Sequence, residues 1–344
     1  MQVINSNLRA AGVGVKRLAL CGLVVLASLL GSPGRAKAEL IVGLTTQNTL
    51  ISFDSATPGT INNIGMITGL TAGDTLVGID RRPQALPNGL PGPNNGRIYA
   101  VSVNSTTGNA RIYALNEATA AATLISTLVA DPADVTAPTP FTTVAGTSFG
   151  VDFNPTVDRL RVTSNTGQNL RINVDNGLVQ LDVPLAYQAL DPNFGAAPVD
   201  VAVAYSNNVG GATSTVLRGV EIGLSPVLLV VHTNPNSGLL MTSLSLPFAS
   251  TAVTSYDISG LSGTPFFAVT PTGSMTSALY AAGPGGVTLV GTIGGGVSVL
   301  GIAAPVGIPG QQVQPVPEPS TLLLFGVGLG LVAYGGRRAV AAAP

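Results

Sequence analysis

Four times between residues 76 and 294 the chain passes through the same series: an apolar opening run, a turn, a second β-prone run, a third, and a last run after an Asn-Gly or Gly-Gly turn. The openers are "LVGID" (76–80), "FGVDFNP" (149–155), "VDVAVAYSNN" (199–208) and "TSYDIS" (254–259). With Asp80, Asp152, Ala202 and Asp257 as marks, they are spaced by 72, 50 and 55 residues. Helical periodicity is absent, and short alternating runs between Gly, Asn, Asp and Pro take its place. Each unit therefore supplies a four-stranded meander that cannot bury both faces alone, and radial stacking of such sheets gives a β-propeller.

A fifth opener, "VSVLGIAAP" (297–305), has no following runs, while "LIVGLTTQ", "TLISFDSATPG" and "INNIGMITGL" (40–70) precede the first unit. Joining the two would complete a fifth blade from both ends of the domain and remove an open sheet edge. The expectation is an all-β, five-bladed propeller over residues 39–304, with a β-sandwich as the alternative. The segments 83–96 and 131–148, rich in Pro, Gly and Thr, are expected to be exposed loops.

Charge narrows the partners. Residues 39–316 hold eight arginines, no lysine and fifteen acidic residues, a net charge of −7 hidden in a whole-chain figure of −1. An acidic domain without basic and aromatic patches argues against nucleic acid. Cys21 is the only cysteine and precedes the domain, so disulfides and thiolate metal sites are excluded from it.

Both ends read as addresses. Lys16 and Arg17 precede the apolar run "LALCGLVVLASLL" (18–30), and Ala36-Lys37-Ala38 fits the small-x-small rule for cleavage, so 1–38 is expected to be a signal peptide removed by signal peptidase during export. A Pro-, Gly- and Gln-rich linker (305–316) leads to Pro317-Glu318-Pro319. After it come 17 uncharged residues (320–336), then Arg337 and Arg338, with a short tail at 340–344. As a helix at about 1.5 Å per residue the apolar run would reach roughly 25 Å, a short inner-membrane span with the arginine pair held inside. The order Pro-Glu-Pro, apolar span, basic cluster resembles the PEP-CTERM sorting signal of Gram-negative bacteria. That resemblance implies an exosortase-type partner, a transient inner-membrane anchor, and an address at the cell surface or in an extracellular biofilm matrix. The segments "GVDFNP", "DRLRV" and "SNTGQNLRINVD" within 148–177 are similar to an exported, propeller-like bacterial domain family of unknown function.

Catalytic side chains are scarce. His232 is the only histidine, placed at the end of an apolar run where local hydrogen bonding explains it, so neither a nucleophile–His pair nor a three-histidine zinc site is available. The glycines of "VGTIGGGVS" (290–298) lack the lysine of a phosphate loop. Asp80, Asp152 and Asp257 occupy matching places in their units, whereas Ala204 and Ala303 stand at the other two. Clustered at a propeller channel they could hydrolyse glycosides or hold a cation; the competing reading is that each accepts amides of the turn after its strand. Arg159, Arg161 and Arg171 are expected to pair with Asp158 and Asp175 across neighbouring strands. The leading expectation is an exported, non-enzymatic propeller without cofactor or assigned metal, binding exopolysaccharide or another matrix protein. The alternative is a secreted carbohydrate-active hydrolase using the three aspartates.

Overall fold

The computed structural model describes residues 38–135 and 140–309. Among the described residues, twenty-two strands form five separate antiparallel-cored sheets, with helix confined to two single 3₁₀ turns. The first blade comprises Asp74–Arg81, Ile98–Asn104, Ala110–Leu115 and Ala122–Thr127 from the axis outward. The second starts at Phe149–Asn154, the third at Asp200–Tyr205 and the fourth at Thr254–Ile258. Each of these innermost strands packs against its two neighbours around a closed ring, which makes the fold a five-bladed β-propeller.

The closing blade is built from both ends of the domain. Val299–Ala303 is its innermost strand, and Leu40–Thr45 pairs with it antiparallel, Val42 opposite Ala303 and Gly43 opposite Ile302. Thr49–Asp54 and Ile61–Met66 complete the sheet. Two features exceed the four-strand expectation. Val129–Ala130, which follows the first blade, runs parallel to the outermost strand of the second. Ala186–Tyr187, which follows the second, does the same on the third. Each is a strap from one blade onto the next.

Burial explains why flat meanders stack. Apolar side chains from facing sheets form shared clusters between the closing and first blades (Leu44, Leu50, Leu76, Ile98), the first and second (Val101, Ile112, Phe153, Leu160), the third and fourth (Val220, Leu229, Phe267), and the fourth and closing blades (Ile51, Phe53, Phe266, Leu279). Each such side chain contributes about 1.5–3 kcal/mol when removed from water. Between the second and third blades a buried polar network takes over. Arg161, 1% exposed, donates to Asn169 Oδ1, Asp182 Oδ2 and Asn236 Oδ1 and contacts the Tyr205 hydroxyl.

Of the two expected loops, 83–96 is exposed at its tip, although Arg82 at its base is buried. The described part of 131–148 differs from expectation at Phe141 and Val144, which fold back into the cluster between the first and second blades. Apolar surface left open beside that interface draws them in.

Candidate functional site

The ring brings Asp80, Asp152 and Asp257 together. Each sits near the C-terminal end of an innermost strand, and one oxygen from each lies within 4.8 Å of the others. All three residues are 1% exposed. Their hydrogen bonds follow one rule with a physical cause. The innermost strand of a blade leaves one edge unpaired, and a buried N–H without a partner is costly. Asp80 Oδ2 accepts from the Phe153 amide at 2.7 Å, Asp152 Oδ1 from Tyr205 at 3.0 Å, and Asp257 Oδ2 from Ala304 at 2.5 Å. Each carboxylate thus satisfies the edge of the following blade. Asp80 Oδ1 and Asp257 Oδ1 also accept the next amide in their own chain, from Arg81 and Ile258. Turn capping, the bland expectation for these aspartates, falls instead to their neighbours; in "DFNP" it is Asn154 whose Oδ1 accepts the Thr156 amide. The same rule shows that Ala204, rather than the Ala202 used as a sequence mark, is the third blade's equivalent, since the bonded amide is that of Tyr205.

Electrostatically the cluster is under stress. Burial pushes the Asp257 carboxyl up to about 7 against the pull of its two amide donors. Asp80 is raised well above the usual carboxylate range by burial and by the charge of Asp257; Asp152 is raised by burial and by both other aspartates. Two unit charges within 4.8 Å repel by at least about 3 kcal/mol at an effective dielectric near 20. Asp152 Oδ2 has no hydrogen-bond partner. On the axis, a cavity lined by residues of all five innermost strands, among them Gly78, Gly150, Val203, Ser255 and Gly301, leaves about 10 Å³ for the centre of a water molecule. That is room for one water and not for a sugar ring. Chemically, the arrangement can share protons among its carboxyls or hold a hard cation.

A second buried ionisable group was not legible in the sequence. His232 lies inside the strand Leu228–Asn234 and contacts Asp200 Oδ2 at 2.9 Å, two strands away. The expected local hydrogen bonding is therefore replaced by a long-range pair. Gly219, on the strand between them, makes this possible, because a Cβ there would lie 2.5 Å from Asp200 Oδ1. Burial raises the Asp200 carboxyl while the His232 contact opposes the rise. Nearby, Glu221 accepts from the Tyr187 hydroxyl and the Val199 and Gly223 amides. A glycine interrupting a β-run was the available signal.

The arginine pairing also differs from expectation. Asp158 and Asp175 are bound by Arg82, which reaches across from the first blade with four hydrogen bonds of 2.7–2.8 Å. Arg161 and Arg171 converge on Asp182 instead, and Arg159 turns back to the carbonyls of Val157 and Asp158. The repeat disguised this because the partner lies in another blade. Ala36 and Ala38 at the expected cleavage site are divided by the limit of description, Ala36 lying outside it, and Pro317, Glu318, Pro319, Arg337 and Arg338 lie outside the described residues too. Among the described residues no helix is long and apolar enough to cross a membrane.

Comparison with known proteins gives two family matches. The family described as "Domain of unknown function (DUF4394)" matches residues 49–303, and a PEP-CTERM protein-sorting motif matches 315–339. No curated protein matches the sequence. Among solved structures, one from a nidogen/laminin complex is 10% identical, covering 79% of this chain and 99% of its own, with a TM-score of 0.42. An α-L-arabinofuranosidase from Fusarium graminearum is 11% identical, with coverages of 71% and 77% and a TM-score of 0.36. An α-L-arabinanase from Penicillium chrysogenum is 13% identical, with coverages of 67% and 69% and a TM-score of 0.32.

Proposed function

For a chain that belongs to the DUF4394 family and carries a PEP-CTERM sorting motif behind its propeller, we propose the role of an exported, non-enzymatic binding or structural protein of the cell surface or extracellular matrix. The PEP-CTERM motif implies export toward the cell envelope and processing by an exosortase-type system. In this reading signal peptidase acts after Ala38, and the run 320–336 anchors the chain in the inner membrane until the exosortase-type enzyme acts at Pro317-Glu318-Pro319. The released propeller then engages exopolysaccharide or another matrix protein.

One observation carries the non-enzymatic part. The three aspartates that could have formed a glycosidase site are each 1% exposed and bound to backbone amides, and the axial cavity lined by their strands has room for a single water. Carboxylates acting on a sugar must flank it, at separations of about 5–9.5 Å with the ring between them. Burial of this kind supports an architectural use.

Two experiments test the proposal. Deleting 317–338 in a host with an exosortase should shift the protein from the surface or medium to another fraction; an unchanged distribution refutes the sorting role. Glycan and matrix-protein arrays probed with the exported protein should give binding without product, and release of sugar that Asp152→Asn abolishes would instead establish the hydrolase.

A further inference from the structure

The axial aspartates present a problem that their hydrogen bonds leave unsolved. Asp80 and Asp257 each have both oxygens bound by backbone amides, which are neutral donors. The positive charge acting on Asp80 and Asp257 is that of Arg81, but its guanidinium is engaged bidentately by Glu117 and also donates to Gly96 O. Asp152 has a single amide donor, and its Oδ2 is buried without any partner. A buried carboxylate oxygen without a hydrogen-bond donor, beside two further carboxylates, is a group that a cation would satisfy.

We propose that Asp80, Asp152 and Asp257 hold one divalent cation of calcium size on the propeller axis, clamping the first, second and fourth blades together. The donor set is entirely carboxylate oxygen, which selects a hard cation over zinc or copper. Size selects further. The oxygens lie within 4.8 Å of one another, and an ion with bonds of about 2.3–2.6 Å can touch three mutually spaced oxygens up to roughly 4.5 Å apart. Magnesium, with bonds of about 2.0–2.1 Å, can touch three such oxygens only up to about 3.6 Å apart. Closing the ring further would pull the carboxylates away from amides of the following blades, which already hold them at 2.5–3.0 Å. An oxygen that accepts one amide keeps a second lone pair for a metal. Ala204 and Ala303, at the two remaining ring positions, add no side chain beyond Cβ and leave space for water ligands.

The ion's role is structural. Substituting alanine at two of the five positions gives the ring a net charge of three carboxylates, enough to bind one divalent ion and to leave the site anionic. This reading does not depend on the proposed surface function, because a matrix protein and an enzyme could equally be held together at the axis.

The test uses the full chain purified after export. Elemental analysis of the untreated protein should find one calcium per chain. After EDTA treatment and dialysis, calorimetric titration with calcium chloride should return a single site, and calcium at a hundredfold its dissociation constant should raise the melting midpoint by about 5 °C. Magnesium chloride should bind at least tenfold more weakly. Asp152→Asn should weaken calcium binding at least tenfold while melting at or above the midpoint of the calcium-free wild type, because it removes one of three repelling charges. Asp54→Asn, at the half-buried end of the strand Thr49–Asp54 and outside the three-aspartate cluster, should leave the calcium response unchanged. A wild type that neither contains nor binds calcium overturns the proposal and leaves three carboxyls sharing protons. An Asp54→Asn loss equal to that of Asp152→Asn overturns it as well, by showing that the ion binds the acidic surface. Should Asp152→Asn fail to accumulate, the calcium content and titration of the wild-type chain decide alone.

Discussion

Replacing Arg82 by alanine tests whether charge, as well as apolar packing, joins the first blade to the second. The side chain is 2% exposed and makes four hydrogen bonds of 2.7–2.8 Å to Asp158 and Asp175, with a weaker contact to the Tyr99 hydroxyl and its guanidinium 5.6 Å from that ring. Breaking a fully buried pair costs about 3–5 kcal/mol, largely because a charge is stranded. Here the carboxylates left behind are 34% and 56% exposed and regain water, so that part of the cost is reduced. What remains is the loss of charge-assisted bonds, of the ring contact and of the buried stem, together about 2–4 kcal/mol. Urea unfolding of the exported protein at pH 7 should show this loss as a lower midpoint with an unchanged slope. Arg82→Lys should recover less than half, since an ammonium cannot engage two carboxylates in parallel pairs. The pH dependence adds a check. Asp175 is held below the usual carboxylate range chiefly by its bonds to Arg82, against the pull of desolvation. A lowered folded value means stability that is present above about pH 4 and lost as pH falls through the folded value. The difference between wild type and Arg82→Ala should therefore shrink near pH 3. A cost below about 0.5 kcal/mol, or a lysine variant equal to wild type, would refute the reasoning.

Other outcomes follow from the same geometry. Asp74 binds Arg111, Asn104, Tyr113 and Ser102, and these bonds outweigh burial to lower its carboxyl; Asp74→Ala should cost about 2–4 kcal/mol at pH 7 in denaturant titration, less near pH 3, where the wild type loses the same contribution. Gly150→Ala places a Cβ 2.7 Å from Thr163 Oγ1 and 2.8 Å from the Val203 amide, so a destabilisation of about 1–3 kcal/mol is expected, and a variant melting with the wild type would show that the inner strands have slack. Ending the chain after Gly296 removes the innermost strand of the closing blade; circular dichroism should then show no cooperative melt, and a retained sharp transition would contradict ring closure.

The repeat was visible because each blade restates the same alternation, and ring closure was visible because "VSVLGIAAP" lacked partners that 40–70 could supply. Convergence of Asp80, Asp152 and Asp257 followed from their equal rank in the repeat. Their bonds did not. Those belong to edge amides of the next blade, which one unit's sequence cannot reveal. Arg82 was missed for a related reason: it follows Asp80 by two residues yet serves residues 158 and 175, so spacing within a unit pointed to the wrong arginines. His232 and Asp200 meet only because Gly219 lets one strand be reached across. Local pattern was informative about sheets and poor about contacts between them.

Pairing Leu40–Thr45 with Val299–Ala303 also sets a timetable. A strand delivered first must wait, with its edge unmet, for one delivered roughly two hundred and sixty residues later. Until residues 299–303 have been made, the ring is an open arc. The fold locks only when nearly the whole domain is available.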